Sequence, residues 1–484
     1  MREGRTIESR RMLGDRQASA LMVVLAVLAR ASVVLVLASH HTPRSTYEHG
    51  EIAANLVAGR GFSMEFLGVF GPTSQQAPIY PLVVAGAYAI AGVETPRSLL
   101  ILELGQALLG GVMVMGVLAL ARELFPGRRL AHWLAGGLVA LHPTLVYAAT
   151  HVQVASLAAT LLVWTLALAS RAGRTGAVGD TVATGVLLGL LALTDPILSL
   201  AVVGVGLAIG QGVAFASRPR SVAIRRVLLA VGVAAVVISP WLARNAVVHH
   251  EFVAIKSTFG YAFWQGNCAQ SEGTDKVVRP SVGRILDRAN AGSLSELNQT
   301  LWLARHEAGC IDDIALSRAD RAILGKVPET ERSRVLFRRA WSDLAARPGR
   351  YGELCLKRLR YFVLFDETNP KTRLMIYRAP HLGLSLFAMI GLCLAPTGSI
   401  RRLAPTLATA AVITLFHTLT IVSARFHIPL EPLMAIWGAG ASVSVASGVG
   451  WFSLGWRPRH TRLDRRPACT DDRRPSGIAS HGRP

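Results

Sequence analysis

Two glutamates open a segment with the makings of a short helix. In TYEHGEIAANLVAGRGF, Glu48 and Glu51 stand three apart and project from neighbouring positions. A carboxylate fixed there could act as a general base, taking the proton from an attacking hydroxyl or amine; acidic residues in a first turn also serve simply to complement the helix dipole. Four cations, Arg60, Arg244, Lys256 and Arg425, lie near the ends of apolar runs, where they suit an anionic group or snorkel to an interface. FGYAFWQGN, residues 259–267, contributes Tyr261, Trp264 and Asn267, which fit either a binding surface or an interfacial aromatic belt. Tyr80, bracketed by Pro78 and Pro81, and His427 with Glu431 in ARFHIPLEPL complete the set. Glu431 lies early in an apolar run, so it is a functional candidate, with pairing to Arg425 as the alternative.

Other polar residues support plainer readings. Asp195 beside Pro196 reads as a turn before the next helix, and Arg30 and Glu103 could pair inside the bundle. His142, His151 and His417 have no metal-ligand spacing, and the doublets Asp312–Asp313 and Asp366–Glu367 lack the neighbours of a metal loop. No metal centre and no cofactor are expected.

The elements that must hold these residues are set by composition. Of 484 residues, 51% are hydrophobic and 17% charged, and the mean hydropathy is +0.40, too apolar for an ordinary soluble domain. The net charge of +21 sits in short clusters between apolar runs, which is a membrane topology signal and argues against a nucleic-acid partner. A helix needs roughly 20 apolar residues to cross, and runs of that kind lie near 19–39, 98–121, 131–150, 152–170, 179–195, 197–217, 226–246, 377–396, 403–423 and 428–453. The fold class is therefore an all-α polytopic membrane protein of about ten spans. Ile79–Val93 is too short and reads as interfacial or re-entrant.

Keeping that segment from crossing places Arg122, Arg128, Arg129, Arg171, Arg174, Arg218, Arg220, Arg225, Arg226, Arg401 and Arg402 on the cytoplasmic side, with both termini inside. The domain plan is a basic cytoplasmic tail at 1–18, a transmembrane module at 19–246 with a first outer loop at 40–97, a large extracytoplasmic loop at 247–376, C-terminal spans at 377–453, and a disordered basic tail at 454–484. Within the large loop, residues 331–365 read as two amphipathic helices broken at Pro348–Gly349, the second with Lys357, Arg358 and Arg360 on its polar face. Cys268, Cys310 and Cys355 share the outer side, where one disulfide can form, with Cys268–Cys310 the preferred pairing, although the leftover thiol argues that none is required.

Four blocks carry a family resemblance: TYEHGEIAANLVAGRGFS, PTSQQAPIYPLVVAGAYAIAG, ISPWLARNAVVHHEFVAIKSTFGYAFWQGN and ARFHIPLEPL. Together they resemble the GT-C membrane glycosyltransferases of family 39, the aminoarabinose-transferase-like group that includes relatives of the protein O-mannosyltransferases. The resemblance runs from about 19 to 453 and fades between 268 and 330. It implies a sugar taken from a polyprenyl-phosphate carrier on the outer face of a bacterial inner membrane, with inversion at the anomeric carbon and membrane lipids as further partners. Members commonly carry an acid at the start of the first-loop helix, where this chain has Ser45 and Thr46; Glu48, one turn on, takes the base role, with Glu51 as runner-up. Arg60, Arg244, Lys256 and Arg425 are the donor-phosphate candidates, and Tyr80, Tyr261, Trp264, Asn267, His427 and Glu431 the substrate-binding ones. The alternatives are an inactive relative that binds lipid-linked sugar, suggested by the missing acidic pair, and a lipid or sugar transporter, disfavoured by the absence of internal repeats.

Overall fold

Long apolar helices dominate the computed structural model of the chain, which describes residues 2–42, 46–287 and 293–442. Among the described residues, seven helical segments are long and apolar enough to cross a membrane: Asp15–His41, Pro96–Leu124, Ala155–Thr175, Pro196–Phe215, Arg220–His249, Met375–Leu394 and Thr397–Leu419. Their outward faces carry large apolar side chains, among them Ile224, Leu228, Val236 and Val247 on Arg220–His249, as lipid requires. The chain is an integral membrane protein of all-α polytopic architecture.

Three expected spans are not among these seven. The run 131–150 breaks at His142 into Arg129–Leu141 and Pro143–Ala148, because Pro143 starts a new helix and cannot continue the old one. Val178–Thr194 has 17 residues. The run from 428 begins as a 3-10 turn, Ile428–Leu430, followed by Glu431–Ala439, and its part beyond 442 lies outside the described residues, as does the tail from 454. Ile79–Ala91 is a 13-residue helix, below spanning length as its sequence predicted.

Backbones approach closely where side chains vanish. A Cβ on Gly173 would stand 2.7 Å from the Ile209 carbonyl oxygen, and one on Gly212 would stand 2.6 Å from the Gly173 carbonyl carbon, so Ala155–Thr175 packs directly on Val202–Phe215. Pro240 interrupts the ladder of Arg220–His249 without ending the helix. The Val236 carbonyl that it frees accepts from the Ser239 hydroxyl at 2.9 Å, so it is satisfied locally rather than offered to a ligand.

Buried guanidinium groups tie distant segments together. Arg30 does not pair with Glu103: it donates to Val139 O at 2.9 Å and Ala140 O at 2.8 Å, two orphan carbonyls at the end of the helix broken at His142. Glu103 instead lies 3.0 Å from His40 Nδ1. The amphipathic pair appears as Glu329–Ala346 and Pro348–Val363, broken where the sequence placed the break. Arg358, assigned to the polar face, is wholly buried; it donates to Thr418 O at 2.7 Å, Gly266 O at 2.9 Å and Asn267 Oδ1 at 3.0 Å. Only Lys357 and Arg360 stay at the surface, on Glu272 and Glu367. All four described cysteines are free, so the expected Cys268–Cys310 disulfide is not formed.

Arg358→Met should therefore strand three buried acceptors and lower stability by on the order of 3 kcal/mol, whereas Lys357→Met should change it by about 0.5 kcal/mol or less. Thermal unfolding of both variants in the same detergent checks this; equal effects would remove Arg358 from its structural role.

Candidate functional site

The first-loop helix forms as its residues dictate. Tyr47–Val57 buries Ile52 and Ala53 and ends before Gly59 and Gly61, whose φ values of +74° and +72° suit glycine. Thr46 sits at the N-cap, but its hydroxyl donates to Glu94 Oε1 at 3.2 Å rather than capping the helix. Ser45, the other position matched to the family acid, lies outside the described residues. Tyr47 enters the helix with φ +49°, a left-handed backbone that a bulky side chain adopts only under local constraint.

The two glutamates separate in role. Glu51 accepts from the Glu65 backbone N–H at 2.5 Å, which pins the hairpin Ser63–Phe66 and Val69–Pro72 to the helix. The sequence reading did not include this hairpin, because its strands are four residues each and turn on Leu67 and Gly68, both at positive φ. Glu48 is exposed and its carboxylate has no hydrogen bond or ion pair among the described residues. Of the two, only Glu48 keeps its lone pairs for a substrate.

Most of the proposed phosphate ligands are engaged elsewhere. Arg244 donates to Thr73 O at 2.7 Å, Ser74 Oγ at 2.8 Å and Phe62 O at 3.0 Å, and lies over the Phe62 and Trp241 rings. It clamps the segment from Phe62 to Ser74 to Arg220–His249. Glu329 of the large loop completes the joint, accepting from Thr73 Oγ1 at 2.7 Å and Ser74 N at 2.9 Å. Arg60 is exposed and donates to Asn55 Oδ1 at 2.9 Å. Lys256 donates to Gln76 Oε1 at 3.0 Å; burial pulls its amine below the usual lysine range, Asp195 and Glu48 push it back up, and Arg425 pushes it down.

The aromatic block is also structural. Phe259–Asn267 is a helix whose Phe263 and Trp264 are buried in the core of the large loop, with Tyr261 packed against them. Asn267 is fully buried, donating to Phe263 O and Thr420 O while accepting from Arg358. Tyr80 is buried against His49 and donates to Gln106 Oε1 at 3.4 Å.

Arg425 differs from the other cations. It lines a cavity, and its guanidinium has no hydrogen-bond partner among the described residues, resting only near the Phe426 ring. Two further cations that the sequence reading missed, Arg305 and Lys371, line the same cavity. Lys371 is buried, with Nζ donating to Tyr147 Oη at 2.7 Å and to His151 Nε2 at 2.8 Å, below the Tyr147, Trp302 and Tyr377 rings. Burial, and then Arg305, hold its amine well below the lysine range, and an anion nearby would push it back up. Arg305 lies over Tyr47 and Trp302, and Tyr47 stacks on Trp302 at 6.0 Å, which joins the cavity wall to the residue before Glu48. No spacing rule connects these residues, since they come from five segments far apart in sequence.

One acid, Asp366, lines the same cavity. Asp366 Oδ1 accepts from the Thr368 N–H at 2.9 Å and hydroxyl at 2.6 Å, while the buried Oδ2 has no partner. Burial pushes its carboxyl up to about 6 against the lowering effect of Thr368. Below the cavity, Glu431 is not paired with Arg425: it lies among His142, His381 and His427.

The fold is similar to that of a solved oligosaccharyltransferase. The chain is similar to the archaeal oligosaccharyltransferase AglB from Archaeoglobus fulgidus, solved with an inhibitory peptide and a dolichol-phosphate, with 16% identity and a TM-score of 0.50 over 92% of this chain and 52% of that one. It is also similar to ArnT from Cupriavidus metallidurans bound to undecaprenyl phosphate, with 16% identity and a TM-score of 0.39 over 91% of this chain and 81% of that one. The chain thus spans about half the length of the AglB chain. No protein-family model and no curated protein sequence matches it.

Because the folded chain holds the Asp366 proton up to about pH 6 and an unfolded one releases it near 4, stability should fall as pH rises between those values and level off above. Asp366→Asn should remove that part of the slope in a thermal-unfolding series from pH 4 to pH 8; an unchanged slope would assign it to other groups.

Proposed function

We propose that the chain is a glycosyltransferase that takes a sugar from a polyprenyl-phosphate carrier and passes it to an acceptor on the extracytoplasmic side. The observation that carries this reading is the cavity wall of Arg425, Arg305 and Lys371, in which the Arg425 guanidinium has no hydrogen-bond partner among the described residues. An anionic head linked to an apolar tail needs such a group of cations inside a lipid-facing bundle.

In the proposed reaction Glu48 takes the proton of the acceptor hydroxyl or amine, and the freed lone pair attacks the anomeric carbon. The bond from that carbon to the phosphate oxygen breaks, the electron pair leaves with polyprenyl phosphate, and the configuration inverts. Arg425 meets the charge that develops on the leaving oxygen, and Arg305 and Lys371 raise the local positive potential. Asp366, with its unpartnered Oδ2 beside the cavity, is the second acid to test as the base. The outer placement rests on the arginine clusters, which this arrangement keeps on the cytoplasmic side.

Detergent-solubilised protein should retain undecaprenyl phosphate in native mass spectrometry, and Arg425→Lys should weaken that retention, because an ammonium cannot reproduce a two-oxygen guanidinium contact. Its turnover should drop by about a hundredfold, the effect of losing one transition-state contact of on the order of 3 kcal/mol. Glu48→Gln should keep lipid binding while losing roughly a hundredfold or more in transfer from polyprenyl-phosphate sugars. Wild-type turnover in Glu48→Gln, with Asp366→Asn inactive, would move the base to Asp366; failure of the unmodified protein to bind the lipid would sink the reading. Ile323→Cys, at an exposed site in the large loop, should react with an impermeant maleimide added outside intact cells.

A further inference from the structure

The polar cluster under the cavity has a geometry that hydrogen bonding explains only in part, through the contact of His381 Nδ1 with Glu431 Oε1. Glu431 is completely buried, and His142, His381 and His427 are each less than a tenth exposed. The carboxylate meets all three rings: Oε1 lies 3.0 Å from His381 Nδ1 and 3.2 Å from His427 Nδ1, and Oε2 lies 3.2 Å from His142 Nε2. Yet His427 Nδ1, His142 Nε2 and Glu431 Oε2 are all buried without a hydrogen-bond partner. They are near enough to bond and misaligned for it.

Atoms that share a metal ion have this relationship. At metal distances of about 2.0–2.2 Å, tetrahedral ligand atoms stand roughly 3.3 Å apart, with lone pairs aimed at a common centre instead of at one another. His381 adds an independent sign: its Nε2 donates to Val363 O at 3.1 Å, which leaves Nδ1 of the neutral ring as a bare lone pair facing a carboxylate lone pair. That pairing repels unless a proton or a cation lies between. A metal-bound histidine characteristically donates its other ring N–H to a carbonyl in this way. The His381 and His427 rings are 3.9 Å apart between centroids, so protonating both would crowd two cations in a buried site.

We propose that His381 Nδ1, His427 Nδ1 and Glu431 bind a divalent metal ion of the zinc class, with the contact from His142 orienting the carboxylate. The three ligand groups come within 4.8 Å of one another. Two imidazoles and one carboxylate are a donor set suited to zinc and the later first-row metals rather than to magnesium or calcium. His381 and His427 also line the cavity, so the fourth coordination position opens towards it. If the cavity takes a phosphate as proposed above, an anionic oxygen could fill that position; otherwise water would. Metal binding itself does not depend on the transfer reaction.

The test uses the full-length protein in detergent, purified through a tag without histidines, stripped with a chelator and reloaded with zinc or cobalt(II). The unmodified chain should hold one metal ion per polypeptide by elemental mass spectrometry, and its cobalt form should give the intense visible absorption of four-coordinate cobalt. Glu431→Gln and His427→Asn should each lower retained metal at least about tenfold, while His417→Gln, at a histidine bonded to Ile421 O, should not. Should either ligand variant fail to fold, the cobalt spectrum and a zinc-dependent rise in the melting temperature of the unmodified chain still decide the matter. Substoichiometric metal in the unmodified chain after reloading, with no cobalt band, would overturn the proposal and leave a charged histidine–glutamate cluster. Since metal content is read without substrate, its failure would leave the transferase reading untouched.

Discussion

Three guanidinium groups, those of Arg30, Arg244 and Arg358, each donate to backbone carbonyls far away in sequence. Carbonyls without partners are the chief hazard of a helical bundle in lipid, and they arise wherever a helix breaks or a loop folds back. A guanidinium solves the problem with several donors from one side chain. Arg30 makes the break at His142 tolerable, and that break sets His142 against Glu431. Arg244 holds the segment from Phe62 to Ser74 on the bundle, and Arg358 fixes the second amphipathic helix beneath the aromatic block. The cavity and Glu48 keep their places because these joints do.

This division of labour explains why the cations divide as they do. Arg60, Arg244 and Arg425 share an interfacial setting in sequence, yet only Arg425 leaves its donors free. A cation that has already met its acceptors is a structural part, whatever its position along a span.

Legibility followed the range of each interaction. The bundle could be read because a span is written in consecutive residues, and the short helices at 47–57, 79–91 and 348–363 because amphipathic spacing, prolines and glycines mark them locally. The hairpin at 63–72 was hidden by its brevity. Lys371, Arg305, Tyr147 and Asp366 were not singled out for a common site, since nothing in the sequence says that residues 147, 305, 366 and 371 meet. Arg358 misled for a related reason: helical periodicity shows which face it occupies but not that Thr418 and Gly266 cover that face. The three histidines around Glu431 lack any motif because each sits on a different segment.

The acceptors of these joints are mostly neutral carbonyls, and that has a consequence for ionic strength. Surface pairs such as Arg334 with Glu251 and Arg338 with Glu331 lose their attraction as salt shortens the screening length to about 3 Å at 1 M. A buried guanidinium bonded to a carbonyl dipole has no counter-charge to screen and no room for ions to enter. The surface of this protein can therefore be electrostatically stripped by salt while its loops stay attached to the bundle.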